Sequence, residues 1–98
     1  MLALAALLVA QQGDEAALRA RVEAQPPAVR DFIARRANCN HWGGEEPYDA
    51  GRRREIERAV RDLGCLTLRG EEIFLRRYFA GRPEILALLT ETEEQSGW

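Results

Sequence analysis

Lysine is missing from this chain: all fourteen basic residues are arginine. A GC-rich coding sequence accounts for that bias, and the alternative is that arginine's planar fork is kept for carboxylate or phosphate recognition. Serine is almost as scarce. The only one, Ser96, lies in the last few residues, which leaves no serine nucleophile for a folded site. No repeat, heptad series, low-complexity tract, or Rossmann or P-loop glycine pattern occurs, which removes the nucleotide-binding folds those glycines serve. The longest apolar run, Leu2 to Ala10, covers nine residues. As a helix it would span about 14 Å, half a bilayer core, so no transmembrane span is expected. Nor is there an excess of positive charge: sixteen acids against fourteen arginines give net −2, so no global charge drives the chain onto nucleic acid or anionic lipid.

The 98 residues, 46% apolar and 31% charged, suit one small globular domain. Charge is placed unevenly. Positions 50–82 carry +4, whereas 14–49 carry −2 and 83–98 carry −4. Residues 1–12 read as a signal-like apolar leader ending in Gln11-Gln12, with a buried apolar first helix as the alternative. With no basic residue ahead of its apolar run, the leader's true start is expected upstream of Met1. The domain proper is expected at 13–90, with an acidic flexible tail at 91–98. Cys39 and Cys65 are the only cysteines, and an even count in a small domain behind such a leader favours a disulfide.

Periodicity predicts an all-α fold, a small bundle of about four to five short helices stapled by that disulfide. Asp14 and Glu15 start a helix that Pro26-Pro27 ends. A second runs from about 27 to 38 on Val29, Phe32, Ile33 and Ala37, with Arg30, Asp31, Arg35 and Arg36 on its outer face. Asp49 caps a third over about 50 to 63, the clearest amphipathic segment, with Ile56, Ala59, Val60 and Leu63 in one stripe, an i,i+4 pair of Glu57 and Arg61, and Gly64 as its stop. Leu66-Thr67-Leu68 alternates like a strand but has nothing to pair with, so it reads as a turn into a fourth helix at about 70 to 80 carrying Phe74, Leu75, Tyr78 and Phe79. Pro83 opens a last short helix with Ile85, Leu86, Leu88 and Leu89.

Asn38 to Asp49 lacks any period and reads as loop, yet it holds the one histidine, a tryptophan, a tyrosine and a cysteine. Trp42 and Tyr48 either pack on a small core or act as anchors for a protein partner, with Glu45, Glu46 and Arg52, Arg53 and Arg54 around them. A metal site is the alternative, with Cys39, His41 and Cys65 joined by Glu45, Glu46 or Asp49, since thiolate and imidazole suit zinc. A Cys39/His41 nucleophile pair is a poor geometry at two-residue spacing, and Glu45 and Glu46, being adjacent, are a poor acid/base pair.

The stretch Phe32-Ile33-Ala34-Arg35-Arg36, then Cys39-Asn40-His41-Trp42-Gly43-Gly44-Glu45-Glu46-Pro47-Tyr48-Asp49, an arginine-rich helix and Cys65, resembles a group of small exported bacterial proteins that are uncharacterised. The resemblance covers roughly positions 26 to 90 and implies a periplasmic location and paired cysteines, with no activity attached. A looser similarity, two cysteines flanking an amphipathic helix, is to helical envelope proteins of the lysozyme-inhibitor kind, an analogy of form only.

The expectation is therefore a periplasmic or secreted, non-enzymatic helical protein without cofactor, binding an envelope protein through the 40–54 surface. Geometry adds a constraint. A third helix of about 14 residues is roughly 21 Å long, so in a plain hairpin Cys39 and Cys65 would stand about 20 Å apart. A disulfide needs Cα atoms within about 7 Å. The loop is expected to resolve this by running back along the third helix, half-burying Trp42 against its apolar stripe and leaving Glu45, Glu46 and Arg52 to Arg54 on the surface.

Overall fold

The computed structural model describes the backbone of residues 2–94 and the side chains of 12–94. The described residues form five helices and no strand: α1 (Leu2–Glu23), α2 (Pro27–Gly43), α3 (Ala50–Leu63), α4 (Leu68–Tyr78) and α5 (Pro83–Glu94), with a 3-10 turn at Cys65–Thr67 before α4. The all-α bundle stapled by one disulfide is thus what the chain forms, with Cys39 and Cys65 joined at a Cα separation of 5.6 Å.

Local chemistry sets several boundaries. Pro26, extended at ψ 151°, and Pro27 at the first helical position separate α1 from α2. The Asp49 carboxylate accepts the Arg52 N–H at 2.7 Å and starts α3. Gly64, at φ 70°, closes α3 in the left-handed conformation that glycine adopts without a Cβ clash.

Other boundaries depart from the sequence reading. Asp14 and Glu15 do not mark a start, because α1 is already helical from Leu2 and passes through them. The side chains of the expected leader up to Gln11 lie outside the described residues, as do positions 95–98 of the expected tail. That tail was expected from Glu91, but α5 continues to Glu94 with Thr92 fully buried. The fourth helix begins at Leu68 rather than near 70.

The core is built from Leu18 and Val22 of α1, Val29, Phe32 and Ile33 of α2, Leu75 of α4, and Ile85, Leu88 and Leu89 of α5, with Leu68 and Phe79 at its edge. Helix α2 is the central element, touched by each of the other four. The helix with the cleanest amphipathic pattern is peripheral: α3 contributes no buried residue, and Ile56, Ala59, Val60 and Leu63 are only half-buried. The disulfide is what ties its far end to α2. The expected Glu57–Arg61 pair does not form; both side chains are exposed, and in water such a pair contributes a few tenths of a kcal/mol, about what holding two long side chains costs.

Arg36 corrects the sequence reading most sharply. It was placed on the outer face of α2 and is instead buried at 5% exposure. Its guanidinium donates to the Leu89 carbonyl (2.7 Å), Thr92 Oγ1 (2.8 Å) and Glu72 Oε1 (3.1 Å), and lies 5.2 Å from the Phe32 ring centroid. Thr92 Oγ1 donates onward to the Leu88 carbonyl at 2.7 Å. Arg76 holds the other Glu72 oxygen at 2.9 Å and donates to Thr90. A buried cation is tolerated because its donors are taken up by oxygens on α4 and α5. Beside it Arg35 is half-buried and paired with Glu71, so of the four residues expected outside only Arg30 and Asp31 are exposed.

Candidate interaction surface

The segment expected to be loop is mostly helix. Helix α2 runs past residue 38 to Gly43, so Cys39, His41 and Trp42 stand in its last turns, and only residues 44–49 are connection. This alters how the cysteines meet. Four further helical residues carry the chain about 6 Å beyond Cys39, and six extended residues can add roughly 20 Å, enough to return along α3 to Cys65. It is α2's own last turn, rather than a loop, that lies beside the start of α3.

Trp42 is half-buried, and the group over it is the Arg52 guanidinium, 5.2 Å from its ring. Arg52 also pairs with Glu55 at 3.1 Å and Glu45 at 3.3 Å. These two carboxylates, Glu55 first, accept hydrogen bonds from Arg52 and raise its pKa above the ordinary value. Glu45 in turn lies 3.4 Å from His41 Nε2, and the His41 ring meets Trp42 edge-on at 6.0 Å. Glu45 and Arg52 were expected on the surface; both are half-buried, because each serves as a bracket across the α2–α3 junction.

The other residues of the expected site are free of that bracket. Glu46, Arg53 and Arg54 are exposed, and Tyr48 is 81% exposed. The structure therefore divides the seven residues: Trp42, Glu45 and Arg52 build the junction, while Glu46, Tyr48, Arg53 and Arg54 face solvent. The arrangement holds an exposed aromatic ring and charges of both signs on a short, braced connection.

The three residues of the metal alternative are not available together. Cys39 and Cys65 share their sulfurs in the disulfide, which removes both thiolate ligands, and among the described residues no group of three His, Cys, Asp or Glu side chains converges. The same bond takes the sulfur from a Cys39/His41 pair.

Sequence reasoning missed a second surface. Phe74 and Tyr78 were counted with the apolar content of the fourth helix, yet only Leu75 is buried there. Phe74 and Tyr78 stack on each other in the open, centroids 5.9 Å apart, with Ile73 and Leu66 exposed nearby in sequence. The signal was in the spacing. Leu68, Leu75 and Phe79 recur at i, i+7 and i+11 on one stripe, so Ile73, Phe74 and Tyr78 fall outside it.

This chain has no match. Compared with protein-family models, with curated proteins and with solved structures, it is similar to none of them. Among the described residues no helix is long and apolar enough to cross a membrane.

Proposed function

We propose that this chain is a non-enzymatic exported helical protein that binds another protein of the cell envelope through the surface spanning Trp42 to Arg54, with Tyr48 as its anchor. The observation that carries this reading is the presentation of Tyr48. An aromatic ring 81% exposed sits on a six-residue connection fixed at one end by the Glu45–Arg52 bracket and at the other by the Asp49 cap. Tyrosine and arginine are the residues that dominate protein-binding energetics, and a pre-ordered loop spends little entropy on association. Glu46, Arg53 and Arg54 supply a polar rim of both signs.

A periplasmic or secreted location is supported by the disulfide, since such bonds persist in oxidising compartments, and by the signal-like composition of residues 1–12.

Affinity capture from a periplasmic extract tests the reading, with the wild type compared with Tyr48→Ala and Arg53→Ala variants. Exposed positions leave the fold intact, so the variants should melt with the wild type yet lose the captured protein. Equal capture by all three would overturn the assignment of the surface.

A further inference from the structure

Helix α4 turns two kinds of side chain outward. Leu66, just before the helix, is 91% exposed, and Phe74, Tyr78 and Ile73 are 63%, 71% and 47% exposed. Apart from Tyr48, these are all the large apolar side chains that stand in the open among the described residues. Clustered exposure of this kind is uncommon on a small soluble domain and marks a contact surface. The i,i+4 steps Arg69–Ile73–Arg77 and Phe74–Tyr78 interleave cations with the apolar groups on that face.

The unpaired charge on α4's own side chains has one sign. Both carboxylates of α4 are committed to arginines of the fold: Glu71 to Arg35 and Glu72 to Arg36 and Arg76. The guanidinium groups of Arg69 and Arg77 have no ion-pair or hydrogen-bond partner among the described residues. Arg69 also lines an open cleft of about 470 Å³ next to Ile73, in which the carboxylates of Glu72 and Glu93 are paired with Arg36. What remains outward on α4 itself is aromatic, aliphatic and cationic, and among these exposed α4 side chains the Tyr78 hydroxyl is the one acceptor. A protein interface normally offers both signs and several acceptors. Aromatic rings that settle at the headgroup boundary, with arginines reaching phosphates, are the composition of a surface that lies on an anionic bilayer without crossing it.

We propose that the outward face of α4, with Leu66, docks on an anionic lipid bilayer: Phe74, Tyr78, Ile73 and Leu66 enter the headgroup boundary while Arg69 and Arg77 pair with lipid phosphates. This contact is separate from the Tyr48 surface and does not depend on it. The protein lies on the membrane through α4 and presents its other surface to a partner.

Co-sedimentation of the full chain with phospholipid vesicles tests this, using phosphatidylcholine vesicles with and without roughly 30% phosphatidylglycerol at low and high salt. Binding should require the anionic lipid and weaken with salt. Arg69→Gln and Arg77→Gln should each lower the partition coefficient about fivefold, and the Phe74→Ser, Tyr78→Ser double variant should lower it by more than about tenfold at unchanged melting temperature. Arg30→Gln, which removes the same charge from α2, should change it by less than about twofold. Three results would overturn the proposal. The first is absence of binding to the anionic vesicles. The second is equal binding to neutral vesicles that ignores the Phe74, Tyr78 variant, which would place the contact on residues 2–10. The third is concentration-dependent self-association, or association with a soluble protein, that the double variant abolishes while vesicles go unbound.

Discussion

Reduction of the disulfide is the most informative single perturbation of the fold. The cross-link joins residues 26 apart in sequence. In the chain-entropy model, closing such a loop in the unfolded chain is worth about 3.5 kcal/mol. A domain of this size has an unfolding entropy at which 1 kcal/mol moves the melting temperature by about 4–8 °C, so reduction should lower it by roughly 15–25 °C. The structure adds where the loss is felt first. Helix α3 places no residue in the core, and a free helix of 14 residues is marginal in water. Without the sulfur bond it is held to α2 by a half-buried stripe and the Arg52 bracket alone. Thermal melts followed by circular dichroism with and without a phosphine reductant give the first quantity. Hydrogen exchange below the melting point gives the second, with the amides of α3 losing protection while those of α2 and α5 keep theirs. A reduced protein that melts within about 5 °C of the oxidised one, with α3 still protected, would refute the argument.

Arg36→Ala should destabilise the domain by about 3 kcal/mol, since it unmakes the buried contacts to Glu72, Thr92 and the Leu89 carbonyl, whereas Arg30→Ala should stay within about 0.5 kcal/mol; urea unfolding of the two compares them directly. Gly64→Ala should cost about 1 kcal/mol through backbone strain at φ 70° alone, because an added Cβ would meet only Thr67 Oγ1 at an ordinary 3.6 Å. Glu84, paired with Arg82, titrates below its ordinary value of 4.5, chiefly through the hydrogen bond from the Arg82 side chain. Its small contribution to stability is therefore present above that value and lost as the pH falls through the lower folded one. A carboxyl NMR titration of Glu84 should show the depressed midpoint, and Arg82→Gln should return it toward 4.5.

What could be read from the sequence was whatever a few neighbouring residues decide. Pro26-Pro27, Asp49, Gly64 and Pro83 fix helix ends through local geometry, and each acts where it was expected. The end of α2 was not legible, because Asn38, Asn40 and Gly43 are poor helix residues, and what holds them helical comes from α3 and the turn after it: Arg52 acting on Trp42 and Glu45, and the Cys65 sulfur. Arg36 was misplaced for a similar reason. Its burial depends on Glu72, Leu89 and Thr92, partners 36, 53 and 56 residues away, and a lone charge on a helix ordinarily means solvent. In the candidate site, the aromatic content of 40–49 was visible, but the division of labour between a supporting Trp42 and a presented Tyr48 follows from contacts across the junction. On α4 the reverse error occurred: apolar residues were read as core although an eleven-residue helix has one buried stripe.

The central claim is that Tyr48 is the point of contact with a protein partner, and site-specific photocrosslinking tests it most directly. A photoreactive phenylalanine analogue is placed at position 48 in one variant and at position 57, on the exposed face of α3, in another, and both are irradiated in the cells that produce the protein. The account predicts one discrete crosslinked species from position 48, lost when Arg53 and Arg54 are replaced by serine, and none from position 57. No crosslink from position 48, or the same species from both positions, would contradict it.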